Sequence, residues 1–113
     1  MSASEPASTQ MKIVSDLLRD DPEMYDLVEE FVGGLTDRVN EFRRAYERLD
    51  WNNLTTLAHQ LKGAGGSYGY SELSKLCAQM ETAFRAHSAD DFTAWIGQLE
   101  QLIAAAHAGL HES

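Results

Sequence analysis

Apolar residues recur at alternating steps of three and four along most of the chain, which is the spacing of one face of an α-helix. The most sustained run predicts the longest helix, and its apolar positions are Tyr25, Val28, Val32, Leu35, Val39, Phe42, Tyr46 and Leu49. Heptads of this length are also compatible with a coiled coil, but helical patterns with short connections on both sides favour packing within one chain. Gly33 and Gly34 point away from the apolar seam, which leaves open a close helix contact or a partner footprint.

Four further segments carry a helical pattern. The first is expected to run from Ser8 or Thr9 to Asp20, because Asp21 and Pro22 are typical of the start of a new helix. The third helix in chain order is expected to follow a cap at Asp50 and to end near Gly69, which suits a left-handed C-terminal position. The fourth and fifth helices are predicted over residues 73–84 and 92–106.

The chain shows neither a strand pattern nor an internal repeat, so the sequence predicts an all-α fold. The expected architecture is an up-and-down four-helix bundle with a short extra N-terminal helix. Residues 1–8 are small and polar and contain Pro6, which indicates a disordered lead-in before a bundle domain over residues 9–113. The initial Met1 favours a complete small protein over a domain of a longer chain.

The predicted helix over residues 54–68 places His59 on its polar side. If Leu61 marks the centre of the apolar stripe, His59 lies about 160° away, and Lys62 lies about 60° to the side of His59. The residues that share the exposed side with His59 are Thr55, Thr56, Gly63 and Gly66. This pattern predicts a solvent-exposed imidazole.

The surroundings of His59 favour a chemical role. A histidine on a helix is usually a surface or hydrogen-bonded core residue, and without its neighbours this one would indicate nothing more. Gly63 costs about 1 kcal/mol in a helix relative to alanine, and it leaves room for a large molecule to approach the ring. A neutral imidazole is nucleophilic, and Lys62 can place an ammonium beside an anion carried there. The glycines of this stretch match neither G-x-G-x-x-G nor a P-loop, so no nucleotide loop is predicted.

Composition narrows the kinds of partner. Nine Lys and Arg against eighteen Asp and Glu give a formal charge of −9, which disfavours nucleic acid and anionic lipid and favours a protein partner. The start of the chain lacks a signal region and no apolar run approaches a membrane span, so a cytoplasmic monomer is expected. The single cysteine, Cys77, cannot form an internal disulfide and is expected to be a small core residue.

The stretch Ala-His-Gln-Leu-Lys-Gly at 58–63, followed at matching spacing by Gly69, Leu73, Cys77, Met80 and Glu81, resembles the signature of histidine-containing phosphotransfer (HPt) domains. The resemblance implies the same bundle fold and makes His59 the phospho-accepting residue. By the same resemblance Lys62 stabilises the phosphoryl group and Gly63 leaves space for the partner. Tyr70 departs from the pattern, since the family often has alanine there. The residues expected to contact a partner are Thr55, Thr56, Gln60, Gly63 and Gly66.

The function implied by this resemblance is that of a phosphorelay intermediate. His59 would accept a phosphoryl group from an aspartyl phosphate on a receiver domain, of a response regulator or a hybrid histidine kinase, and pass it to another receiver. Such a protein is a carrier and not a kinase; it needs no cofactor or metal of its own, because the magnesium belongs to the receiver. The alternative is a bundle that docks receivers without carrying phosphate. A hydrolase that uses His59 as general base lacks a nucleophile, an acid and a cleft in the motif.

Overall fold

The computed structural model describes residues 12–110, so the expected lead-in at residues 1–8 and the start of the first predicted helix lie outside the described residues. In chain order the elements are α1 (Asp16–Asp20), a 3₁₀ turn (Pro22–Met24), α2 (Tyr25–Gly33), α3 (Leu35–Glu47), α4 (Trp51–Ser67), α5 (Ser71–Arg85) and α6 (Phe92–Leu110). Residues 12–110 contain no strand, and the all-α prediction is confirmed. Within this range no helix is both long and apolar enough to cross a bilayer.

The first helix is shorter than predicted. Residues 12–15 are not helical, and α1 begins only after Ser15. The backbone N–H of Ile13 donates to the carbonyl of Ala105 at 3.1 Å, and the Ser15 hydroxyl donates to the carbonyl of Tyr68 at 2.5 Å. These tertiary hydrogen bonds hold the segment against the end of the bundle. They satisfy backbone and side-chain groups there in place of the helical hydrogen bonds that the apolar spacing predicts.

The long second helix is also divided, so the prediction of one unbroken helix is wrong. Gly34 separates α2 from α3, and its N–H is shared between the carbonyls of Glu30 and Phe31 at 3.2 and 3.1 Å. The longest continuous helix is α6, with 19 residues. A Cβ added at Gly33 would meet nothing within 4 Å, and one at Gly34 would meet only these two carbonyl oxygens, so no close helix contact explains the pair.

The centre of the seam is buried as expected, whereas its two ends are not. Val28, Val32 and Phe42 are fully buried, but Tyr25 and Tyr46 are each 37% exposed and Leu49 is 58% exposed. The last helix covers the ends of the seam only in part: the Tyr46 ring stacks on Phe92 with centroids 3.9 Å apart, and the Tyr25 hydroxyl donates to the carbonyl of Leu110.

Helices α3, α4, α5 and α6 pack as the four-helix bundle, with α4 and α5 as the closest pair. The close approach of α4 and α5 depends on Gly65, since a Cβ there would lie 3.3 Å from both Leu73 Cγ and the Ser74 backbone nitrogen. The side chains at the centre of the core are fully buried and include Phe42, Leu54, Leu61, Met80, Phe84 and Leu99. Cys77 lies among them as predicted, and burial raises the pKa of its thiol to about 12.

Candidate functional site

Helix α4 is fixed at both ends. At its start the Asp50 carboxylate accepts the backbone N–H of Asn53 at 3.1 Å, which is the predicted cap. At its end Gly69 adopts a φ of +85°, the left-handed conformation that favours glycine. A Cβ at Gly69 would lie 2.5 Å from the backbone nitrogen of Leu17 and 2.6 Å from Ser15 Oγ, so the N-terminal segment packs directly on this turn.

The apolar stripe of α4 faces the core, and the opposite side presents His59 to solvent. The buried positions of the helix are Leu54, Leu57, Ala58, Leu61 and Gly65, as the spacing predicts. The His59 side chain is 63% exposed, although one of its ring nitrogens is engaged. Nδ1 of His59 lies 3.0 Å from Oε2 of Glu81 on α5.

Glu81 is the centre of the polar cluster. This residue is only 5% exposed and its carboxylate contacts three side chains. The Lys62 ammonium lies 2.8 Å from Oε1, and the Arg85 guanidinium lies 2.6 Å from Oε2, the oxygen that also faces His59. Hydrogen bonds from Lys62 and then Arg85, with a smaller one from His59, lower the pKa of Glu81 from 4.5 to about 2. The carboxylate is therefore ionised at neutral pH.

The charge state of Glu81 decides which nitrogen of the imidazole is free. An ionised carboxylate can only accept hydrogen bonds, so the Nδ1 atom of a neutral His59 must carry the proton and donate it to Glu81. The lone pair then lies on Nε2, which is the ring nitrogen without a contact to Glu81. In the neutral form of the imidazole, the cluster thus leaves Nε2 as the nucleophilic nitrogen.

The residues predicted to contact a partner form two groups: three line a groove together with His59, and the two glycines lie outside that lining. Thr55, Thr56 and Gln60 lie together with His59 along one groove. Gly63 faces open space, since a Cβ there would meet nothing within 4 Å, whereas a Cβ at Gly66 would lie in ordinary contact with Ser74 Oγ at 3.7 Å. Ser74 itself donates its hydroxyl to the Lys62 carbonyl at 2.9 Å and ties α5 to α4 beside the cluster.

Sequence reasoning missed Glu81 and Arg85 as site residues. A signal for Glu81 was present, because it follows Met80 within the apolar stripe of α5, where an acid is buried only when it is paired. Arg85 lies one turn further along and satisfies the same carboxylate. Tyr70, the position that departs from the motif, is 3% exposed and its ring centroid lies 6.2 Å from that of Phe31.

Among residues 12–110 no three His, Cys, Asp or Glu side chains are grouped so as to hold a metal ion. A protein-family model described as Hpt domain matches residues 26–109, which includes every residue of the cluster around Glu81. No curated protein and no solved structure matches the chain significantly.

Proposed function

Because this chain belongs to the Hpt domain family, whose members transfer phosphoryl groups through a histidine in phosphorelays, we propose that His59 is the phospho-accepting residue. Its phosphoryl donor is an aspartyl phosphate on a receiver domain, and the acceptor is the aspartate of another receiver. The contact between His59 Nδ1 and Glu81 at 3.0 Å is the observation that carries the proposal, because it leaves Nε2 as the nucleophile.

The transfer step needs no base on this chain. The lone pair of Nε2 attacks phosphorus while the bond from phosphorus to the donor's carboxylate oxygen breaks, and the carboxylate leaves as an anion. The proton already on Nδ1 stays there, and the positive charge that develops on the ring faces the Glu81 carboxylate. The reverse reaction with a second receiver uses the same atoms in the opposite order.

Lys62 and Arg85 supply positive charge at the carboxylate that faces His59. Both cations contact Glu81, and their side chains are 36% and 64% exposed, so their solvent-facing donors remain accessible to a phosphoryl group. Glu81 in turn keeps the two cations near the ring in the absence of phosphate. In this proposal Glu81 is a positioning residue, whereas the two cations stabilise the phosphoryl oxygens.

The chain acts in this proposal as a carrier that depends on its partners for activation of the phosphoryl group. The sequence contains neither a P-loop nor the glycine-rich loop of a kinase. The magnesium ion that transfer requires is held in the receiver's acidic pocket, close to the aspartate. The open space at Gly63 lets that pocket come close to His59.

The proposal is tested by incubating the chain with a phosphorylated receiver domain and following the label. The wild type should become labelled on a group that is acid-labile and alkali-stable, as phosphohistidine is. His59→Gln should remain unlabelled, while the matched variant His107→Gln, at an exposed position near the end of α6, should label as the wild type does.

Equal labelling of His59→Gln would refute the assignment. A wild-type chain that binds the receiver but never becomes labelled would instead support the alternative of a docking bundle that carries no phosphate.

A further inference from the structure

A groove of about 590 Å³ extends from His59 along the outer side of the first half of α4 and reaches the C-terminal end of α5. Trp51 lies on its α4 side and His87 just beyond the end of α5, while Phe84 and Arg85 contribute from the last turn of α5. A space of this size accommodates several side chains of a second molecule. The phosphotransfer chemistry of His59 does not require it.

The far end of the groove is built from an unusual pair of side chains. The rings of Trp51 and His87 stack with centroids 5.2 Å apart and an interplanar angle of 7°. His87 has a φ of +56°, a left-handed conformation that glycine usually occupies at this place after a helix. The chain thus carries an aromatic ring at a position where glycine would relieve backbone strain, and this ring completes a flat surface on the groove.

The lining of the groove differs in charge from the chain as a whole. The formal net charge is −9, yet the groove is lined by the cation Arg85 and by no Asp or Glu. The Arg85 side chain is 64% exposed, so its guanidinium faces solvent as well as Glu81. A groove with a solvent-facing cation and no acidic side chain favours an acidic partner. The acidic remainder of the molecule repels such a partner and so directs it to the groove.

We propose that this groove receives the acidic rim of the receiver domain that flanks its phosphorylated aspartate, with an apolar side chain of that rim packed on the Trp51–His87 pair. The inference rests on the proposed function, because an aspartate delivered to His59 brings the acidic residues around it to the adjacent groove. Trp51 and His87 then act in recognition of the receiver and take no part in the chemistry.

The charge of the groove is tested by a matched pair of substitutions in the first turn of α4. Asn52 and Asn53 are both exposed, but only Asn52 lines the groove. Glutamate is favourable near a helix N-terminus, so both variants should remain folded. Asn52→Glu should lower kcat/KM for transfer from a phosphorylated receiver by about fivefold or more at low salt, mainly through KM, whereas Asn53→Glu should stay within about twofold of the wild type.

The aromatic end of the groove is tested with a second matched pair. His87→Gly removes the stacked ring and relieves the positive φ, whereas Leu49→Gly relieves a similar φ of +50° outside the groove lining and removes no ring. His87→Gly should raise KM for the receiver by about fivefold or more, while Leu49→Gly should leave it unchanged. Melting curves of all four variants verify that they are folded.

Phosphorylation by the small donor phosphoramidate separates docking from chemistry. All four variants should react with phosphoramidate at the wild-type rate, because none alters the His59 cluster. If Asn52→Glu and Asn53→Glu behave alike with the receiver, or if phosphoramidate labelling falls in parallel, the docking role of the groove is wrong even when labelling of His59 stands. Failure of the wild type to label His59 would refute the proposed function instead.

Discussion

Replacement of Glu81 by glutamine tests how this bundle controls its histidine. The substitution keeps the shape of the side chain and removes its negative charge. In the wild type that charge faces His59, Lys62 and Arg85 at 3.0, 2.8 and 2.6 Å. The amide of a glutamine can donate as well as accept, so it no longer obliges Nδ1 of the imidazole to carry the proton.

The expected loss of rate follows from the hydrogen bond between His59 and Glu81. A hydrogen bond to a charged group contributes about 1.5–3 kcal/mol, and positive charge builds on the imidazole during attack. Loss of that amount in the transition state slows the transfer by about tenfold to 150-fold. Release of the Lys62 ammonium from its ion pair adds positive charge near the phosphoryl oxygens and offsets part of the loss, so the slowing should fall toward the lower end of this range.

Two measurements on Glu81→Gln check the argument. Transfer rates from a phosphorylated receiver and from phosphoramidate should both fall, because the defect lies in the nucleophile and not in docking. Proton-coupled ¹⁵N NMR of the histidine rings should show the neutral wild-type His59 with its proton on Nδ1 and the variant with both tautomers. Glu72→Gln, near the start of the same helix, is the control and should change neither result.

A neutral wild-type His59 with its proton on Nε2 would refute the reasoning, whatever the transfer rates. Transfer by Glu81→Gln at the wild-type rate from both donors would show that the carboxylate does not position the nucleophile.

Three further outcomes are expected. Gly63→Gln should keep or raise the melting temperature, because the position is open. The same variant should greatly slow transfer from a receiver and leave phosphoramidate labelling intact. Receiver transfer at the wild-type rate would refute the idea that Gly63 leaves space for the partner. Gly69→Ala should lower the free energy of unfolding by at least about 2 kcal/mol in urea titrations, because of its positive φ and the contact with Ser15, whereas Gly66→Ala should not destabilise. The stabilisation from the lowered pKa of Glu81 is fully present above about pH 4.5 and is lost as the pH falls toward 2, so Glu81→Gln should show a flatter loss of stability with acid than the wild type does.

The sequence determined the helical class and the exposure of His59, because both follow from local periodicity. The spacing of Leu54, Leu57 and Leu61 fixes which side of α4 is buried, and every residue in between is then placed by the geometry of the helix. The same holds for the cap at Asp50 and the left-handed Gly69, which are local backbone requirements. The motif assigned phospho-acceptance to His59 and phosphoryl stabilisation to Lys62, and both assignments stay predictions until phosphorylation is measured.

Only the tertiary structure decided where the first helix begins and what surrounds His59. The Ser15 hydroxyl donates to the carbonyl of Tyr68, 53 residues away, and this long-range contact holds the N-terminal segment outside the helix. Glu81 reaches His59 across the contact of α4 with α5, where Gly65 allows close packing. The tautomer of the imidazole follows from that long-range contact, because the preference of a ring nitrogen for its proton depends on the charge that faces it.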